Sequence, residues 1–80
     1  MHMKYLMYDV GGSPRPFLFA ADMAHADIHK MVGGGFELIS AGFVSAHNCA
    51  PRAHGVSTTL NVRSRPEDTA IMRQHLGWET

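Results

Sequence analysis

The chain has 80 residues, 45% of them hydrophobic and 18% charged, which suits one small domain over residues 1–80 and argues against disorder. Seven basic side chains balance seven acidic ones, so no net charge draws the chain toward nucleic acid or a membrane surface. No apolar run approaches the roughly 20 residues that span a bilayer, and no signal peptide is read at the start.

A domain this short buries only about 60% of the surface its unfolded chain exposes. A second copy, a metal or a partner is one way to complete so thin a core. Cys49 is the single cysteine and has no internal disulfide partner, which fits a reducing cytoplasm. Six histidines and six methionines stand out, while Lys4 and Lys30 are the only lysines. Met1-His2 reads as a cloning remnant ahead of Met3, so His2 is set aside as a site residue.

Met3 to Val10 alternates Leu6, Tyr8 and Val10 with Tyr5, Met7 and Asp9. That predicts a strand covered at least in part on both faces. Gly11 to Pro16 is dense in turn residues. Phe17 to Ala20 is then expected as a second, antiparallel strand, held to an edge by the prolines before it.

Asp22 is positioned to cap a helix from Met23 to Val32, which Gly33-Gly34-Gly35 stops. Helical spacing puts Ala24, Ile28 and Met31 on the face toward the sheet, with His25 and His29 one turn apart beside it. Phe36 to Ala46 is the longest apolar stretch and the expected central strand. Gly42 within it marks a bulge or a close backbone approach.

His47 to Gly55 reads as a polar loop, and Val56 to Val62 as an alternating strand with one wet face. Ser64 and Glu67 have capping-box spacing, so a second helix is expected from there to about Leu76, ended by Gly77. The predicted class is α+β in β-β-α-β-β-α order. An antiparallel sheet of about four strands carries both helices on one face, or the strands swap between two copies.

Ser40-Ala41-Gly42-Phe43-Val44, then Gly55, Ser57 and Leu60, then Ser64-Arg65-Pro66-Glu67-Asp68 carry a resemblance. They resemble the SAG strand, GxSxxL strand and SRPED helix start of small uncharacterised bacterial proteins often encoded in prophage regions. The likeness covers the second half of the chain well and the first half loosely. It implies a genomic setting and brings no activity, cofactor or site residue with it.

The sharpest chemical candidate is a zinc site. His25 and His29 stand at i and i+4 on one helix, and His47, Cys49 and His54 follow in the loop. Two ligands from each, with His25, His29, Cys49 and His54 as the favoured set, would close a tetrahedral shell. Asp22 or Asp27 would orient an imidazole. Against it, the helix lacks the glutamate of HExxH and the loop lacks a CxxC. The competing reading packs His25 at the margin of the core and leaves His29 in water.

Cys49 has His47 and His54 as neighbouring bases, but no oxyanion hole or third orienting group is legible. The glycine triplet follows a helix rather than leading into one, so it is the wrong shape for a phosphate cradle. Arg52, Arg63 and Arg65 form a candidate phosphate or nucleic acid patch, with Arg73 further on. Net neutrality and local salt bridges to Glu67, Asp68 and Glu79 weigh against it. Asp68 shares a helix side with Ile71, Met72 and His75 and is expected to lock the helix start through an amide or arginine. Seven aromatic residues and the methionines exceed what one thin core needs. The sequence therefore reads as a homodimeric binding or accessory module without catalysis, and unidentified protein partners remain open.

Overall fold

Gly11 and Gly12 both adopt left-handed φ angles, 61° and 87°, which a two-residue hairpin turn needs and glycine supplies at no steric cost. They join β1 (His2–Val10) to β2 (Ser13–Ala20), and the Asp9 carboxylate accepts the Gly12 N–H at 3.0 Å. The computed structural model describes residues 2–46 and 50–78. β2 thus starts at Ser13, earlier than the predicted Phe17, and both prolines lie inside it.

Their placement explains how. Val10 opposes Ser13 across the turn, so the Ser13 N–H faces β1, as do those of Arg15, Phe17 and Phe19 at every second position. Pro14 and Pro16 fall on the alternate positions, where the missing N–H would have pointed outward. The ladder loses nothing, and β2 is the edge strand the prolines predicted.

β3 (Glu37–Ser45) pairs antiparallel with the other side of β1, and β4 (Arg52–His54) pairs antiparallel with β3. The sheet order is β2-β1-β3-β4. The bulge in β3 lies where Met7 opposes Ser40 and Tyr8 opposes Leu38. It is not at Gly42, whose role is the close approach: a Cβ there would sit 2.5 Å from the His54 carbonyl oxygen.

Two sequence expectations are corrected here. The fourth strand of the sheet comes from the predicted polar loop. The predicted strand Val56 to Val62 instead folds back on itself as a separate two-stranded hairpin, β5 (Val56–Ser57) with β6 (Val62–Arg63). Local polar bonding overrides alternation. The Ser57 hydroxyl accepts the Leu60 N–H at 3.3 Å, and Asn61 takes a left-handed φ of 55°, which asparagine tolerates better than most residues.

The helices are α1 (His25–Val32) and α2 (Asp68–His75). They cover opposite faces of the sheet, not one. Tyr5, Met7, Val44 and Ala53 pack with Met72 of α2. Leu6, Tyr8, Phe19 and Ala41 pack with Ile28 of α1, joined by Leu60 and Val62 of the small hairpin. β1 is apolar on both faces along Tyr5 to Tyr8, so each face needs a cover. No helix of the described residues is long and apolar enough to cross a membrane.

Asp22 does not cap α1. The chain first turns, with the Met23 N–H on the Ala20 carbonyl at 3.1 Å, and Ala24 takes the N-cap position without a side-chain bond. Ser64 does not cap α2, and Glu67 takes the N-cap position without a side-chain capping bond: the Ser64 hydroxyl donates to the Gly55 carbonyl at 3.0 Å, and Glu67 pairs with Arg65 at 3.7 Å. The reciprocal bond is displaced by one residue. The Asp68 carboxylate accepts the Arg65 N–H at 3.0 Å, while the Asp68 N–H returns to the Arg65 carbonyl at 3.0 Å. At the other end Gly77 (φ 76°) and Trp78 bond back to Gln74 and Arg73, the paired closure that a glycine after a helix permits.

Candidate functional site

Asp68 is the most heavily bonded side chain of the interior. It is 0% exposed and accepts from the Tyr5 hydroxyl at 2.6 Å, the Arg65 N–H at 3.0 Å and Arg65 Nε at 3.0 Å. Arg65 Nη2 adds an ion pair at 2.9 Å. Burial pushes the carboxyl upward, but the nearby Ser40 hydroxyl and the hydrogen bonds from Tyr5 and Arg65 outweigh it and hold the pKa below the ordinary carboxylate value. Burial first, then the bond and charge of Asp68, push the Tyr5 phenol far upward. This network ties α2 to the central strand, as expected of Asp68. The Tyr5 partner was the part that sequence reasoning missed.

The proposed zinc ligands part company. His25 is 3% exposed, donates from Nε2 to the Gly42 carbonyl at 2.9 Å, and sits edge-on to Phe19 and Phe43. Burial, opposed by the Gly42 bond and aided by Lys4, lowers its pKa. His29 instead stacks on Tyr8 and shares a 2.8 Å hydrogen bond with its hydroxyl through Nδ1. His54 bonds Ser45 at 2.7 Å and stacks on Phe43. Cys49 and His47 lie outside the described residues. Among the described residues no group of three or more His, Cys, Asp or Glu gathers as a metal site.

The arginines are likewise divided. Arg52 and Arg65 line one open cleft with His54 and Thr69, but Arg65 is held by Asp68 and Glu67. Arg63 stands on β6 opposite Val56 and does not line that cleft. Arg73 donates to the Pro51 carbonyl at 2.9 Å. The Thr69 hydroxyl accepts the Ala53 N–H at 3.1 Å and donates to the Ala53 carbonyl at 3.4 Å. α2 thereby closes the β4 edge, as the prolines blunt the β2 edge.

The remaining candidate is a flank beside α1. This helix runs over β1 in the same direction: His25 meets Phe19 and Phe43 at the level of Lys4, and His29 stacks on Tyr8. Seen from the α1 face with β1 pointing up, the L configuration turns the N–H and C=O groups of Lys4, Leu6 and Tyr8 rightward, toward β2. A right-handed helix at about 100° per residue, with Ile28 down, then sends His25, His29 and Val32 left. Ala24, Asp27 and Met31 go right, toward β2.

Met31 was expected to face the sheet, yet it is 75% exposed on that flank. The β2 residues turned to the same face are Arg15 opposite Tyr8, Phe17 opposite Leu6, and Phe19 opposite Lys4. Phe17 is 41% exposed. The flank therefore presents Met31 and Phe17, with Asp27 on the helix side and Arg15 on the strand side. No family model matches the chain, and neither a curated protein nor a solved structure matches it.

Proposed function

We propose that the protein is a cytoplasmic binding module without catalysis, working as a homodimer whose copies meet through the α1–β2 flank. The observation that carries this reading is Met31, 75% exposed on the same flank as the half-exposed Phe17. Adaptable methionine and flat aromatic surface are common at interfaces. The closed edges favour side-chain docking over strand addition. A two-fold dimer joins a patch to itself, so Arg15 of one copy would meet Asp27 of the other, and the patch carries both charges. The zinc reading through His25, His29, Cys49 and His54 draws no support from the bonded states of its three described imidazoles.

Native mass spectrometry of untagged protein, prepared without nickel resin and with zinc added to a second sample, tests both readings. A dimer unchanged by zinc, converted to monomer by Met31→Glu and by Phe17→Glu with an unaltered circular dichroism spectrum, is the expected outcome. A monomeric parent at tens of micromolar, or a dimer indifferent to both substitutions, would overturn it.

A further inference from the structure

The end of β3 carries a second cluster, on the same sheet face as α1 but distant along β1 from the Met31 end of the helix. Register sets Ser45 between His2 of β1 and Arg52 of β4, and sets Phe43 between Lys4 and His54. The His54 imidazole engages the Ser45 hydroxyl, with Nε2 2.7 Å from Oγ. His2 Nδ1 also lies 3.1 Å from it, on a residue that reads as a cloning remnant and is no part of the site. The His54 ring rests on Phe43 with an interplanar angle of 24°. Lys4 Nζ stands over the same Phe43 ring and donates to the Met23 carbonyl. Apart from His2, the described strand positions around Ser45 therefore hold an imidazole, an arginine and a lysine, and no carboxylate.

From this geometry we propose that the Ser45 corner binds a small oxyanion of the phosphate class. Arg52 supplies the permanent charge, and its exposed guanidinium is a planar fork suited to phosphate oxygens. Ser45 supplies a hydroxyl donor. With a proton on Nε2, the His54 imidazole donates to the oxygen, and the hydroxyl hydrogen turns to the ligand. A divalent cation is disfavoured, because the His54 imidazole would have to bind it beside Arg52 and Lys4, with no carboxylate at the described strand positions around Ser45 to offset their charge. Among the described residues the His54 ring is hydrogen-bonded to Ser45 and to no carboxylate, so nucleophilic use of the pair lacks an orienting group there. The cluster stands apart from the Met31 flank, so the inference is independent of how two copies meet.

The test is an NMR titration of the full isotope-labelled chain at constant ionic strength with inorganic phosphate and, separately, with methyl phosphate. Saturable shifts centred on Ser45, Arg52 and His54 are expected with at least one ligand. Arg52→Ala should weaken them about tenfold, the scale of one charge-assisted contact. Ser45→Ala should weaken them as well, and Arg63→Ala should leave them unchanged. A response to methyl phosphate alone identifies a phosphate monoester as the ligand, and a response to inorganic phosphate alone identifies the free ion. Shifts that match a chloride titration, or that survive Arg52→Ala intact, would overturn the proposal. Saturable binding of zinc at His54 with no phosphate response would also overturn it and reassign the corner to a cation.

Discussion

Asp68 carries its charge to a position with no solvent contact, and four donor contacts from two residues are what keep it there. Removing the carboxylate leaves a buried phenol and a half-buried guanidinium without their acceptor, so Asp68→Ala is expected to cost about 3 kcal/mol. Tyr5→Phe removes one donor and should cost about 1 kcal/mol. Urea unfolding followed by circular dichroism reads both, and a loss for Asp68→Ala no larger than for Tyr5→Phe would contradict this account. His25 gives the pH dependence. Burial lowers its folded pKa, so the unfolded chain binds the proton more tightly, and stability falls as pH drops below about 6.5. Asp68 acts in the same direction at lower pH, its stabilisation being lost as pH falls below about 4. The urea midpoint should therefore drop between about pH 7 and pH 5.5, and His25→Gln should flatten that slope. An equal slope in both proteins would remove His25 from the explanation.

Among the elements, the segment from β3 to α2 is where local pattern and observed structure part. Val56 to Val62 alternates as a half-buried strand would, yet the Ser57 bond to Leu60 and the left-handed Asn61 turn it into a hairpin. Its apolar residues Leu60 and Val62 still reach a core, so the pattern reported burial correctly and geometry wrongly. The serine and asparagine were the available signal. Gly42 is a clearer case, because the close approach it suggests is present. A methyl there would press on the His54 carbonyl at 2.5 Å and on Ser64 Cβ at 3.3 Å. Gly42→Ala should cost about 2 kcal/mol by pushing β4 off β3, with faster amide exchange at Phe43 and His54 as the mark of local opening. Unchanged exchange at those amides would place the strain elsewhere. The helix starts were misread for a related reason. Ser64 and Glu67 have the spacing of a capping box, but Ser64 is drawn to Gly55, and the reciprocal bond forms between Arg65 and Asp68. Spacing names candidates for a cap, and competition from nearby carbonyls selects among them.

For the molecule as a whole, a thin core is divided into two clusters by one sheet, each covered by an eight-residue helix. Neither cluster is large, and the α1 side leaves Met31 and Phe17 against water. If two copies cover that flank, stability rises with concentration by mass action. The midpoint of thermal unfolding should then climb by several degrees over a roughly hundredfold increase in protein. A midpoint independent of concentration would leave the flank uncovered in solution. The α+β class, the opening hairpin, the edge position of β2, the central strand and the glycine stop of each helix were determined by the sequence itself. Each depends on local chemistry: alternation, a proline's missing N–H, or a glycine's freedom. Tertiary structure alone decided that the helices lie on opposite faces, that Arg52–His54 is the fourth strand, and that His25, His29 and His54 bond different partners. Those outcomes depend on which distant groups compete for the same donors and apolar faces, and sequence spacing carries no record of that competition.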